Sequence, residues 1–213
     1  MLIDIHCIKR ATSNSLLLNY QQEAVSSWPA SSLATYHIVD EDKTIGFAHQ
    51  RVASFKLGVG EYVSSVDDDD LLIAPNALAM FEQIADNKPL FIQSARMMID
   101  QNGKPIKLLK DAVAECSLRT VLQSHATVSQ LCVVRRDLAE EACDKALRVL
   151  TSLPSNFIGT FDLIYYLELL KVTSCQRFEL PVYQWRCYGA NQYHQVVRKE
   201  LSTIFRMYAS GKH

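Results

Sequence analysis

The chain has 213 residues, of which 48% are hydrophobic and 21% are charged, and its formal net charge is -1. This length and composition suit a single domain with a substantial core and exclude a wholly disordered chain. The near-neutral charge argues against a strongly electrostatic grip on nucleic acid or anionic lipid, although a local basic patch stays open. No apolar run approaches the roughly 18–20 residues that span a bilayer.

The amino-terminal segment and the cysteines indicate a cellular compartment. Charges interrupt the apolar stretch from Met1 to Arg10, and no cleavage-like segment follows, so it does not resemble a signal peptide. The six cysteines include no Cys-x-x-Cys pair. This pattern is typical of reduced thiols, with a disulfide framework or a zinc site as the alternative. We therefore expect a soluble cytoplasmic protein of one domain, in an oligomeric state that the sequence leaves open.

Strand and helix patterns alternate along the first half of the chain. Strands are predicted at Leu2 to Ile8, Ala34 to Val39 and Tyr62 to Val66, and helices at Asn14 to Trp28, at Gly46 to Leu57 and from Pro75 onward. Acidic residues follow the second and third strands. This order predicts an α/β fold with a mainly parallel sheet, in which ligands bind outside the carboxyl ends of the strands.

The second half is less regular. The Asn-Gly pair at 102–103 predicts a hairpin between strands at Leu90 to Ile99 and Lys104 to Leu109. Further elements are predicted in this order: a strand at Val128 to Val134, a helix at Arg136 to Leu150, an apolar helix at Phe161 to Leu170 with Thr160 as its N-cap, a strand at Pro181 to Cys187 and an amphipathic helix through Val197 and Tyr208. Without repeats or an obvious linker, one compact domain is the simplest account.

The run Asp67-Asp68-Asp69-Asp70 directly follows an apolar strand. Like charges a few ångströms apart repel each other, and a divalent cation would relieve that repulsion. Carboxylate oxygens suit Mg²⁺ or Mn²⁺, which keep positions open for substrate phosphate oxygens. The alternative is a solvated acidic turn without a ligand.

The segments around this run resemble a known family. Gly46-Phe-Ala-His-Gln-Arg51, then Gly60-Glu61-Tyr62 and then Asp67-x-Asp69-Asp70 resemble the inverting family-two glycosyltransferases of the GT-A fold. The resemblance implies a Rossmann-like, mixed, mainly parallel sheet flanked by helices. Residues 1–100 would form the nucleotide-sugar-binding half, and residues 101–213 the half with the acceptor site and the catalytic base.

The resemblance also implies a donor site. Asp69 would ligate Mn²⁺ or Mg²⁺ on a nucleotide-diphosphate sugar, with a UDP-sugar as the favoured donor, and Asp67 would lie toward the ribose and the sugar as a second ligand. Asp40, after the second strand, would contact the nucleotide base. The implied nucleotide-binding set is Asp40, Arg10, Arg51, Asp67 and Asp68. Lys9, before the matching Arg10, and Asp42-Lys43, in place of a Gly-Ser turn, depart from the family pattern.

A downstream match supplies the catalytic residue. Phe161-Asp162 opens a helix, and Leu180-Pro181 with a following strand to Arg186 comes about twenty residues later, as in the family. The resemblance makes Asp162 the catalytic base, although Phe161 replaces the usual glutamate. The alternative is that Asp162 only favours the helix amino terminus through the helix dipole.

Four more residues have weaker support. His125, Trp185 and Arg186 are the candidates for contact with the acceptor. His194 is the candidate for a third metal ligand, although the family's Arg-x-His spacing falls on Tyr188.

These matches predict a metal-dependent, hexosyltransferase-like glycosyltransferase that inverts the anomeric centre, with a saccharide or lipid-linked acceptor. One alternative keeps the chemistry and changes the acceptor to a hydroxylated base in DNA, as in some phage enzymes. A basic rim would then be expected from Lys9, Arg10, Arg135, Arg136, Arg198 and Lys199. The other alternative is an inactive domain that binds a nucleotide or metal without turnover.

Overall fold

The computed structural model describes residues 2–109, 115–124, 131–153, 161–188 and 192–211. The first half contains β1 (Ile3–Lys9), α1 (Ser15–Ser27), β2 (Ala34–Asp40), α2 (Phe47–Phe55), β3 (Tyr62–Asp67), β4 (Leu71–Leu72) and α3 (Ala74–Asn87). The second half contains β5 (Phe91–Ile99), β6 (Pro105–Leu109), β7 (Glu115–Cys116), α4 (Leu118–Ser124), β8 (Cys132–Arg135), α5 (Arg136–Ser152), α6 (Phe161–Val172), β9 (Cys175–Arg186) and α7 (Gln192–Ala209).

The described strands form one mixed sheet in the order β2-β1-β3-β8-β5-β9-β4, with β6 added to β5 and β7 added to β9. Strand β1 runs parallel to β2 and β3, and β5 runs parallel to β9. Strand β8 is antiparallel to both β3 and β5 and joins these two parallel groups. The predicted α/β fold with a mixed sheet flanked by helices is confirmed. The parallel pairs of the sheet are β1 with β2, β1 with β3, and β5 with β9.

Local sequence explains where the first three helices begin. The Asn14 side chain caps α1 by accepting hydrogen bonds from the backbone N–H groups of Leu16, at 2.9 Å, and Leu17, at 3.4 Å. Helix α2 begins after Gly46, whose φ of +74° lies in the left-handed region that glycine adopts without strain. Pro75 lies in the first turn of α3, as predicted.

The two faces of the sheet carry separate cores, and the alternation of side chains along each strand assigns residues to them. Cys7 of β1 and Val66 of β3 belong to the core beneath α3, together with Trp28 at the end of α1. Val63 of β3 belongs to the core made with α2, α5 and α6. Asp67 follows Val66 by one position and therefore faces α2 and α6.

Strand β9 differs from its prediction because it begins at Cys175 rather than at Pro181. It pairs with β5, and the register shifts around Ala95, which faces Pro181. Proline has no N–H to donate to a sheet, so an irregular position accommodates it within a strand. The short elements β4, β7 and α4 were not predicted. Thr160 and residues 128–130 of the predicted strand lie outside the described residues.

The six cysteine thiols are free, and all but the partly exposed Cys187 are buried. Burial, followed by the nearby aspartate charges, raises the pKa of the Cys7 thiol to about 12, so this side chain packs as a neutral group. In the described part of the chain, no helix has the length and apolar character that crossing a bilayer requires.

Candidate active site

The four aspartates after β3 have different partners. Asp67 ends β3, and Asp68 and Asp69 form the turn toward β4. Asp68, Asp69 and Asp70 are buried, whereas the side chain of Asp67 keeps 30% of its surface exposed. A cation was predicted to relieve the repulsion within this run. The structure surrounds these carboxylates with arginines, an amide and tyrosine hydroxyls, and the cation stays a prediction.

Arg10, in the loop after β1, binds two of the four carboxylates. Its Nε donates to Asp68 Oδ1 at 2.7 Å, and its Nη2 lies 2.7 Å from Asp69 Oδ2. The backbone N–H of Arg10 and the side-chain amide of Gln21 both donate to Asp68 Oδ2, at 2.8 and 2.6 Å. Asp68 therefore points toward α1 and ties that helix to the acidic turn.

Asp69 has a second partner in Tyr188. The Tyr188 hydroxyl donates to Asp69 Oδ2 at 2.5 Å. Burial and this hydrogen bond raise the pKa of Tyr188 to about 12, so the hydroxyl keeps its proton and stays a donor. Tyr188 occupies the position at which the family spacing would place a histidine, and it contacts the carboxylate that such a histidine would join at a metal.

Asp70 fastens the turn to β9. It accepts a hydrogen bond from the backbone N–H of Arg186 at 2.7 Å and another from the hydroxyl of Tyr183. Burial, together with the charges of Asp67 and Asp69, raises the pKa of Asp70 well above its ordinary value. Asp70 is thus part of the framework that fixes the turn.

The Arg186 side chain braces the same turn from behind. Its Nε donates to the carbonyl of Asp69 at 3.0 Å, its Nη1 to the carbonyl of Gln101 at 3.0 Å and its Nη2 to Glu23 Oε2 at 2.6 Å. The neighbouring Trp185 is half-buried, and the Arg96 guanidinium lies 5.6 Å from its ring centre. Acceptor contacts by Arg186 and Trp185 stay predictions.

Arg51 brings the predicted donor motif and the predicted base together. It lies on α2, with only 3% of its surface exposed. Its Nη2 is 3.5 Å from Asp67 Oδ1, and its Nε is 3.9 Å from Asp162 Oδ1 in the first turn of α6. Arg51 Nε and Nη1 are buried without a hydrogen-bond partner in the described part of the structure. One guanidinium therefore neutralises two carboxylates and keeps unused donors.

The two carboxylates beside Arg51 hold protons more tightly than ordinary aspartates. Burial raises the pKa of Asp67 to about 6 against the opposing charge of Arg51, and the charges of Asp162 and Asp69 add to the rise. Burial also raises the pKa of Asp162, with Arg51 again opposing. A carboxylate with a raised pKa is a stronger base, and a third of the Asp162 side chain is exposed to receive a substrate.

The turn after β2 is held by α2. The Gln50 side chain donates to the carbonyl of Asp40 at 2.5 Å and accepts from the N–H of Asp42 at 3.0 Å. This leaves the Asp40 side chain exposed at the carboxyl end of β2. His125 lies outside the described residues. His194 belongs to the first turn of α7, and its side chain also lies outside the described part.

Comparisons with known proteins bear on the fold. No protein-family model matches the chain, and no curated protein matches its sequence. A crystal structure of S. aureus TarS matches 94% of this chain with a TM-score of 0.58 and 15% identity, and the match covers 39% of the TarS chain. A UDP-GlcNAc complex of TarS 1–349 gives a TM-score of 0.56, at 15% identity, over 94% of this chain and 65% of that one. The UDP complex gives 0.59, at 14% identity, over 97% and 66%.

The chain has a GT-A-like fold, which it shares with S. aureus TarS. It spans 39% of TarS and 66% or less of the TarS 1–349 fragment. At 14–15% identity this likeness establishes the architecture. Membership of the inverting family two stays a prediction.

Several residues around the site were missed by sequence reasoning. Tyr188, Gln21 and Gln50 contact the acidic turn or the Asp40 turn, yet none was a candidate site residue, although Gln50 lies inside the matched segment from Gly46 to Arg51. The only signal for Tyr188 was its place in the expected Arg-x-His spacing. Tyr183, whose hydroxyl donates to Asp70, was not a candidate site residue either.

Proposed function

We propose that this chain transfers a sugar from a UDP-linked donor to an acceptor hydroxyl with inversion at the anomeric carbon. The observation that carries the proposal is the buried Arg51, which lies between Asp67 of the donor motif and Asp162, the candidate base. The fold shared with TarS, which has been crystallised with UDP-GlcNAc and with UDP, supports a nucleotide-sugar donor.

Asp162 acts as the general base. Its carboxylate takes the proton of the acceptor hydroxyl, and the hydroxyl oxygen forms a bond to the anomeric carbon from the face opposite the leaving group. The bond from that carbon to the diphosphate oxygen breaks, and its electron pair leaves with UDP. The raised pKa of Asp162 favours the proton transfer, because a base works best with a pKa close to the working pH.

Arg51 and Arg10 supply positive charge near the departing diphosphate. Arg51 has two buried nitrogen atoms without a partner among the described residues, which phosphate or sugar oxygens of the donor would satisfy. Arg10 already bridges Asp68 and Asp69 and holds the turn in place. Fixed charges in a buried site stabilise a developing anion without reorganising.

Asp69 and Asp67 are the candidate ligands of a divalent cation. No group of three or more histidine, cysteine or acidic side chains among the described residues is placed to hold a metal alone. Mg²⁺, however, is commonly held by one or two carboxylates and completed by substrate phosphates and water. Asp69 and Asp67 would hold the ion, and the crowded charge that raises the pKa of Asp67 would be relieved by it. When bound, Mg²⁺ or Mn²⁺ supplies Lewis-acid neutralisation of the diphosphate.

The first test is calorimetric titration of UDP, GDP, ADP, CDP and TDP into the wild-type chain, with and without Mn²⁺. Of the five nucleotides, we expect only UDP to bind, and to bind more tightly in the presence of Mn²⁺. Asp69→Ala should lose the increase in UDP affinity that Mn²⁺ causes. Asp137→Ala, an exposed aspartate of α5, is the matched control and should leave UDP affinity unchanged. Failure of every nucleotide to bind under both conditions would contradict the donor site.

The second test separates an active enzyme from an inactive binding domain. Slow release of UDP from UDP-sugars without an acceptor is expected for the wild type and not for Asp162→Asn. Binding of UDP-sugar without hydrolysis or transfer would favour the inactive alternative.

The structure offers little support for a DNA acceptor. Within the predicted basic rim, Arg10 pairs with Asp68 and Asp69, Arg135 with Asp137, and Arg136 with Asp4. Lys9 is exposed, and the side chains of Arg198 and Lys199 lie outside the described part of the chain. The paired arginines are engaged within the protein, and a saccharide or lipid-linked acceptor remains the favoured class. Salt-sensitive binding of duplex DNA would reverse this preference.

A further inference from the structure

A cavity with a volume of about 490 Å³ lies between α1 and the edge of the sheet. Its wall includes Cys7 and Lys9 of β1, Ile38 of β2, and Leu18, Gln21 and Val25 of α1. Cys7 belongs to the core on the side of α3, whereas the contacts of Asp67 with Arg51 of α2 lie on the opposite face of the sheet. This volume is in the range of small-molecule sites. The cavity reaches Asp68 of the acidic turn, whereas Asp67 contacts Arg51 across the sheet.

The middle of the cavity is apolar and accessible. Leu18, Val25 and Ile38 keep 39%, 45% and 50% of their surfaces exposed. Leu18 and Val25 are seven positions apart and share one face of α1. One end is formed by Trp28, whose ring stacks on Tyr36 at 4.9 Å between centroids. Exposed apolar side chains grouped at a cavity are typical of a binding surface.

The two ends of the cavity differ in polarity. Tyr36, beneath Trp28, pairs with Ile5 in the sheet, and Lys9 lies four residues farther along β1. At about 3.3 Å per residue, the ends are roughly 13 Å apart. Lys9 makes no ion pair within the described part of the chain. A long apolar groove therefore ends at an unpaired positive charge.

Two buried polar atoms on the wall also lack partners. Trp28 Nε1 and Gln21 Oε1 have no hydrogen-bond partner among the described residues, and Gln21 is only 4% exposed. The carboxylate at this wall, Asp68, is already paired with Arg10 and Gln21 and presents no free negative charge. The charge of Lys9 therefore favours an anionic group at its end of the cavity. Gln21 Oε1 is an acceptor and the Trp28 N–H lies at the opposite end, so neither atom is assigned to that group.

We propose that this cavity binds a single-chain amphipathic anion. Its alkyl chain lies along Leu18, Val25 and Ile38, and its carboxylate meets Lys9. The proposal does not depend on the proposed transferase activity, because none of these side chains contacts Asp67 or Asp162.

The experiment is calorimetric titration of the full chain with decanoate below its micellar concentration, with decanol and butyrate as comparison ligands. We expect saturable binding of decanoate at one site, with decanol and butyrate each at least about tenfold weaker. Val25→Trp, which fills the cavity from an exposed helix position, should abolish binding. Val172→Trp, an exposed valine at the end of α6, is its size control and should bind as the wild type does.

Charge variants test the position of the head group. Lys9→Glu should weaken decanoate binding about tenfold or more, whereas Lys56→Glu, an exposed lysine beside α2, should change it less than about twofold. Absence of saturable binding, or equal binding by wild type and Val25→Trp, overturns the proposal. Binding to vesicles of anionic phospholipid without binding to decanoate also overturns it, because the face would then be a membrane surface. Circular dichroism of each variant checks that it is folded.

Discussion

A cluster of aspartate and arginine side chains lies near each end of strand β1, and the two clusters are arranged differently. Near its amino end, Asp4 Oδ2 accepts from Arg136 Nη2 at 2.5 Å and from the N–H of Gly60 at 2.6 Å, and Asp4 Oδ1 is 2.9 Å from His37 Nε2. Near its carboxyl end, Arg51 stays 3.5 Å from Asp67 and 3.9 Å from Asp162. The Asp4 carboxylate is hydrogen-bonded by three close partners, whereas Asp67 and Asp162 share Arg51 at longer distances.

The pKa values follow this difference. Burial raises the pKa of Asp4, but the hydrogen bonds from His37 and Gly60 and the charge of Arg136 outweigh it and hold the pKa below its ordinary value. Burial dominates at Asp67 and Asp162, where the pKa is raised. A carboxylate whose pKa is lowered by close hydrogen bonds contributes to stability, whereas one whose pKa is raised keeps the capacity to bind a proton.

The largest effect is expected from replacing Asp162, the candidate base. We expect Asp162→Asn to lower the transfer rate by about 10²–10⁴-fold while leaving UDP affinity within about twofold, because the amide cannot take the acceptor proton. Transfer assays and calorimetry measure the two effects. Asp137→Asn is the control, and a transfer rate equal to wild type in Asp162→Asn would remove this residue from the chemistry.

Asp4→Asn tests the other end of β1. Removing this charge leaves the partly buried Arg136 with Glu140, at 3.7 Å, as its ion-pair partner and weakens the acceptor for the Gly60 N–H. We therefore expect the free energy of unfolding to fall by about 3–5 kcal/mol. Transfer per folded molecule should be unchanged. Urea unfolding measures the loss, and Asp137→Asn, on an exposed ion pair, should leave the midpoint unchanged. A loss of activity larger than the loss of folded protein would contradict a purely structural role.

Gly58→Ala tests how tightly Asp4 is enclosed. Gly58 has a φ of +79°, and a Cβ there would lie 2.3 Å from Asp4 Oδ2. We expect a loss of about 2–4 kcal/mol from backbone strain and crowding. Gly103→Ala has the same φ of +79° with nothing within 4 Å of its Cβ, and it should lose only about 1–2 kcal/mol. Equal losses of unfolding free energy in the two variants would show that the Asp4 side chain moves away from the added Cβ at little cost.

The smallest expected effect is the pH dependence at Asp67. Its pKa is about 6 in the folded chain, above the ordinary 3.8, so the folded state keeps the proton that the unfolded state releases. Stability therefore falls as the pH rises from about 4 to about 6 and stays lower above that range. Asp67→Asn should reduce this fall in urea titrations across the window, leaving the part due to Asp70 and Asp162, whose pKa values are also raised. Asp86→Asn, an exposed aspartate of α3, should retain the full fall.

Much of the first half could be predicted because its signals are local. Asn14, Gly46 and Pro75 mark helix starts by chemistry within a few residues, and β3 with its acidic turn stands out as an apolar run followed by four aspartates. The alternation of strands and helices was enough for an α/β fold. The resemblance added Arg51 and Asp162, which the structure brings to the same place.

The rest depends on contacts between residues that are distant in sequence. Tyr188 is 119 positions from Asp69, and Arg136 is 132 positions from Asp4. A tyrosine or an arginine has no local pattern that names its partner. The antiparallel place of β8 between β3 and β5 was also hidden, because a strand of four residues does not indicate its direction.

The hydrogen bonds of Arg186 to Asp69 and Glu23 have a consequence for folding during translation. Arg186 is 163 positions from Glu23 and 117 from Asp69, and it holds both. A chain that emerges from the ribosome amino terminus first exposes its acidic turn long before Arg186 and Tyr183 exist to fix it. The strands around β1 can pair early, but the long loop that brings β9 back must close later. The acidic turn is therefore fixed only after β9 has been synthesised and has joined the sheet.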